Sequence, residues 1–121
     1  MTSSGFARVR KMGLALSGTE VSSSWGSPAL KVRGKTYAVM ASHKSAEPGT
    51  LVIVLPIDQR DELIEADPDT YYLKPHYVSY PSVLVRLSRI PDDALRDLLL
   101  TAWQLASQSP RRKRTRTLSI G

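Results

Sequence analysis

Apolar residues recur at helical spacing from the start of the chain. Phe6, Val9, Met12 or Gly13, and Leu16 fall on one face, and Ser3 or Ser4 stands where a helix cap belongs, which predicts an amphipathic helix over roughly 4–16. It ends at Ser17-Gly18, because glycine takes the left-handed geometry just past a helix end without steric cost. A polar strand from Glu20 to Trp25 follows, then a break at Gly26-Ser27-Pro28. Ala29 to Arg33 and Lys35 to Ala41 flank Gly34 and read as a hairpin with its tip at Arg33-Gly34. Strict alternation sets Leu30 and Val32 against Ala29, Lys31 and Arg33 in the first arm. In the second it sets Tyr37, Val39 and Ala41 against Thr36, Ala38 and Met40. Thr50 to Leu55 is a continuous apolar run, the signature of a strand covered on both faces or central in its sheet.

The second half is more mixed. Asp58 to Ala66 reads as a short acidic helix with Asp58 as its cap, stopped at Asp67-Pro68 because the residue before proline avoids helical geometry. Tyr71 to Leu73 is a short strand, Pro75 to Pro81 irregular, and Val83 to Leu87 a strand. Leu95, Leu98, Leu99, Ala102, Leu105 and Ala106 form a wide apolar stripe, which marks a helix from about 91 to 107 with Pro91 in its first turn. The order is helix, several strands, short helix, strand, long helix, without βαβ alternation. That predicts an α+β fold: an antiparallel sheet with the N-terminal and C-terminal helices packed on it, plus the short acidic helix.

Composition adds scale and charge. With 121 residues the chain is one domain, expected over 1–110, and a tail over 111–121. There is no cysteine, hence no disulfide framework, thiol nucleophile or thiolate metal site. The net charge of +6 is uneven. Arg111, Arg112, Lys113, Arg114 and Arg116 give the tail +5, leaving the body at +1. Within the body residues 1–50 carry +5 and residues 51–75 carry −4. A run of like charges predicts a tail that is flexible when free. The N-terminal apolar stretch is interrupted by Arg8, Arg10 and Lys11, unlike a signal peptide, and no run is long enough to span a membrane. The default expectation is a cytoplasmic monomer without membrane insertion.

Candidate chemistry is sparse. No nucleophile elbow, dinucleotide loop, P-loop or zinc-protease motif occurs, so no catalytic residue is assigned and nothing marks the chain as an enzyme. Two histidines without cysteine argue against a transition-metal site, and Asp58, Asp61, Glu62, Glu65, Asp67 and Asp69 lack calcium-loop spacing. No metal or cofactor is expected. Lys31, Arg33 and Lys35 alternate about the hairpin tip. Depending on the register across Gly34, they form a basic ribbon that meets phosphate or merely keep an exposed hairpin soluble. Arg8, Arg10 and Lys11 extend that surface or form a solvated helix face. Four of the five tyrosines lie between Tyr71 and Pro81. Trp25, His76, Tyr77 and Tyr80 either line a pocket or cover a sheet edge from a proline-fixed loop.

Three segments together resemble the MmcQ/YjbR family over roughly residues 5–107: Ser24-Trp25-Gly26-Ser27-Pro28-Ala29-Leu30-Lys31-Val32-Arg33-Gly34-Lys35; Ala66-Asp67-Pro68-Asp69-Thr70-Tyr71-Tyr72; and Pro75-His76-Tyr77-Val78-Ser79-Tyr80-Pro81-Ser82-Val83-Leu84-Val85-Arg86-Leu87. The resemblance implies a compact antiparallel α+β fold of the kind called double-wing, and a DNA-binding role inferred from shape. Ser79 and Ser82 depart from the glycine or acidic residue and the bulky aromatic that family members often carry there, so any surface lined by that aromatic is altered here.

Three functions follow as expectations. The first is nucleic-acid binding, DNA by the resemblance, through phosphate contacts from Arg8, Arg10, Lys11, Lys31, Arg33, Lys35 and the tail cations. The second is a small-ligand or enzymatic domain with its pocket at Trp25, His76, Tyr77 and Tyr80. The third is a protein-interaction module whose architecture resembles small secretion chaperones.

Overall fold

The computed structural model describes residues 3–24, 27–41 and 46–108. Three helices, α1 (Ser3–Leu14), α2 (Ile57–Ala66) and α3 (Asp92–Gln108), accompany six strands. These are β1 (Thr19–Ser24), β2 (Ser27–Val32), β3 (Lys35–Met40), β4 (Thr50–Val54), β5 (Tyr71–Tyr72) and β6 (Ser82–Arg86). They form one sheet in the order β1-β2-β3-β4-β6-β5, with every neighbouring pair antiparallel. The first four strands follow the chain as a meander, and β6 then enters between β4 and β5. This is the α+β class the element order predicts. β4, the apolar run, lies inside the sheet with its first four residues buried.

Residues directly opposite across a ladder share a face, so the register sorts the sheet into two sides. Leu30, Val32, Ala38, Leu51, Ile53, Val83 and Val85 point to one side, where they meet Phe6 and Val9 of α1 and Leu95, Leu98, Leu99 and Ala102 of α3. Leu63 and Ile64 of α2 pack against the same core. Truncating Leu95 or Leu99 to alanine at such fully buried positions costs about 2–5 kcal/mol. Gly13 lets α1 lie close against the sheet, since a Cβ there would overlap Leu30 Cδ1. The other side carries a smaller cluster of Val52, Tyr72 and Leu84, with Val39, Ala41 and Tyr77 packed around it.

Three local details differ from the sequence expectation. Leu30 faces Ala38 but Lys31 faces Thr36, so Tyr37 is an extra residue in β3. This bulge breaks the alternation that grouped Tyr37 with Val39 and Ala41, and turns its ring into the helix-side core beside Ala38. Its hydroxyl is paired with Thr19 Oγ1 at 2.7 Å, and burial pushes the phenol pKa up. Second, Asp58 does not cap α2. The N-cap is Pro56, with no side-chain cap bond, and Asp58 lies in the first turn, where its charge still complements the helix dipole. Third, Pro91 precedes α3 rather than lying in its first turn, and its carbonyl accepts the Leu95 N–H at 3.0 Å. The helix therefore starts where proline's missing N–H costs nothing.

Candidate nucleic-acid interface

Three arginines are turned inward as staples. Arg8 on α1 donates from Nε to Asp92 Oδ1 at 2.7 Å, from Nη1 to the Leu87 carbonyl at 2.8 Å, and from Nη2 to the Ile90 carbonyl. It thereby ties the first helix to the β6–α3 connection. Arg60 on α2 is buried and donates from Nη1 to the Val78 and Tyr80 carbonyls at 3.0 and 3.2 Å, and from Nε to Asp61 at 3.0 Å. Arg86 on β6 holds Glu47 bidentately at 2.9 and 2.7 Å and also donates to the Pro68 and Asp69 carbonyls. Its guanidinium lies 4.2 Å from the Tyr72 ring centroid. Hydrogen bonding to Arg86 holds the Glu47 carboxyl below its usual range and, reciprocally, raises Arg86. Of these three, only Arg8 was a candidate for a binding surface, and its guanidinium is engaged within the protein.

The remaining cations of the body sit differently. Arg10 and Lys11 are exposed on α1. Arg33 and Gly34 have φ of 54° and 80°, the left-handed pair of a type I′ hairpin turn. This puts Arg33 at the exposed tip. Lys31 lies opposite Glu20 and Thr36 on the face away from α1 and α3, whereas Lys35 lies opposite Val32 on the helix side. The three therefore surround the tip instead of lining one face of the ribbon.

The helix layer brings a second element to the same end. Trp103 Nε1 donates to the Ser17 carbonyl at 2.8 Å, fixing the last turns of α3 beside the α1–β1 turn. Thr19 in turn lies opposite Val32, next to the hairpin tip. α3 thus ends, at Gln108, on the side of the molecule where Arg33 and Lys35 are exposed. The tail cations Arg111, Arg112, Lys113, Arg114 and Arg116 lie outside the described residues.

Within the aromatic segment the described tyrosines have different surroundings. Pro75–Tyr77 is one 3₁₀ turn. Tyr77 packs on the Val52–Tyr72–Leu84 cluster, while Tyr80 is 57% exposed. Tyr72 is a sheet residue whose hydroxyl pairs with the buried Thr50 Oγ1 at 2.6 Å and accepts the Glu47 N–H at 2.9 Å. Trp25 and the side chain of His76 lie outside the described residues.

Comparison with known proteins places this geometry. The YjbR family model matches residues 14–105. The chain belongs to the YjbR family. Two curated relatives, the uncharacterized proteins Rv2570 of Mycobacterium tuberculosis and Mb2600 of Mycobacterium bovis, are each 41% identical over 49 residues, which is 40% of this chain. The chain spans about a third of their length, the match covering 36% of each. The crystal structure of Deinococcus radiodurans protein DR2400, with a DUF419 domain, superposes with a TM-score of 0.68 at 18% identity over 93% of both chains. That likeness establishes the fold.

Among the described residues no group of three or more His, Cys, Asp or Glu side chains could hold a metal ion. No helix of the described residues is long and apolar enough to cross a membrane.

Proposed function

We propose that the protein binds nucleic acid, with duplex DNA as the reference ligand, through phosphate contacts made at one end of the molecule. The observation that carries this reading is the course of α3, which ends beside the exposed tip Arg33-Gly34-Lys35 and is followed in sequence by five more cations. Arg10, Lys11 and Lys31 extend the basic end toward α1 and the open sheet face. Arg8 acts within the fold. Contacts of this kind position a backbone and carry little sequence preference.

The test is a fluorescence anisotropy titration of a labelled duplex over a range of salt. Removing residues 111–121 lowers the magnitude of the slope of log K against log salt by about 4.5, since each phosphate neutralised contributes about 0.9. Adding Arg33→Gly and Lys35→Ala lowers it by about 2 more. No binding at low salt, or unchanged affinity in the combined variant, overturns the proposal.

A further inference from the structure

A cavity of about 630 Å³ lies between α1 and α3 on the outside of the helix layer, away from the sheet and the tyrosine segment. Half-buried Met12 and Leu16 and exposed Ala7 and Ala15 give it an apolar lining, and Lys11 from α1 and Arg96 from α3 add charge. The volume is in the range of sites that hold small molecules.

One end of it is formed by Arg8 joined to Asp92, both in the lining. The α1 side of the lining runs from Ala7 into the turn that follows the helix, at Ala15 and Leu16. The space is a short basin alongside α1. The acid in its lining, Asp92, is occupied by Arg8. Among the described residues Lys11 and Arg96 are in no ion pair. An apolar floor beside two cations held in no ion pair favours a ligand with an apolar body and an anionic head.

We propose that this basin is a binding site for a small amphipathic oxyanion, an acyl or aryl chain with a single carboxylate or phosphate head. The apolar chain lies on Met12, Leu16, Ala7 and Ala15. The head takes charge-assisted hydrogen bonds from Lys11 and Arg96. The site shares only Lys11 with the nucleic-acid surface and does not rest on that reading; its test uses the full chain without nucleic acid.

The probes are decanoate, decyl phosphate and decanol, titrated against the protein by calorimetry with amide chemical shifts read in parallel. Both anions bind, with shifts concentrated in α1 and α3, and the tighter of the two identifies the preferred head. Lys11→Ala and Arg96→Ala each weaken anion binding about tenfold, the effect of losing one charge-assisted bond. Arg10→Ala, outside the basin lining, leaves it unchanged. Ala15→Trp, at an exposed position in the turn just after α1, abolishes binding by filling the basin, and its unchanged amide spectrum elsewhere reports an intact fold. Three results overturn the proposal: decanol binding as tightly as decanoate, anion binding that survives Ala15→Trp, or displacement of decanoate by a polyglutamate peptide lacking apolar side chains. Absence of binding by all three probes also overturns it.

Discussion

Arg60 illustrates how much one side chain can settle at the residue scale. It holds the carbonyls of Val78 and Tyr80 from a buried position on α2, so the turn carrying Tyr80 is held by its backbone. Arg60→Met keeps the apolar stem and removes the donors. It is expected to cost about 2 kcal/mol, the worth of charged hydrogen bonds, measured by urea unfolding. Nothing in the sequence marked this residue. Its partners are carbonyls 18 and 20 positions away, and a carbonyl has no residue type to recognise. Arg8 was visible as a cation, but its bonds to Leu87 and Ile90 span 79 and 82 positions, so the sequence could not separate a staple from a surface charge. Gly13 is the reverse case, since helical spacing left Met12 and Gly13 as alternatives for one core position. The structure uses both, with Gly13 against Leu30 and Met12 packed on the helix-side core. Gly13→Ala gains about 1 kcal/mol of helix propensity but loses about 1–3 by overpacking the fully buried Leu30. A net loss of about 1 kcal/mol is expected in chemical denaturation.

At the scale of elements, the β2–β3 hairpin combines a conformational cost with a functional position. Arg33 adopts φ of 54°, a conformation that disfavours side chains by roughly 1–2 kcal/mol. Arg33→Gly should therefore raise stability, by about 1 kcal/mol in thermal or urea unfolding, while weakening duplex binding. A variant that gains stability and keeps full affinity separates the tip from the interface. The loop between β3 and β4 shows a second dependence, because Glu47 near its end is held by Arg86 on β6. The folded carboxyl titrates below its usual value of 4.5. The folded state thus binds this proton less readily than the unfolded chain. The tie is fully present above that value and is lost as pH falls through the lower folded pKa. Acid unfolding followed by circular dichroism should show a shallower pH dependence in Glu47→Gln than in the parent. Periodicity exposed the elements themselves well, because apolar spacing directly encodes which face is covered. It missed the bulge at Tyr37, since one inserted residue changes the pairing without changing composition.

For the molecule as a whole, the net charge divides between roles. The body holds 12 basic side chains. Arg8, Arg60 and Arg86 serve the fold. The polarity of residues 1–50 was legible, and so was the class of fold. What the sequence could not supply was the course of α3, which decides where the tail begins. That course has a consequence for how the molecule is made. α1 and α3 come from opposite ends of the described chain, and Arg8 meets Asp92 across 84 positions. The four-strand meander is linked by near neighbours and needs only modest loop closure, whereas the helix layer requires the nearly complete chain. During synthesis Ile53 and Val83 therefore wait with their side of the sheet only partly covered until Leu95 and Leu99 arrive. A chain stopped before Asp92 would leave that side only partly covered, by α1 and α2, and the last helix is the step that turns an aggregation-prone sheet into a finished domain.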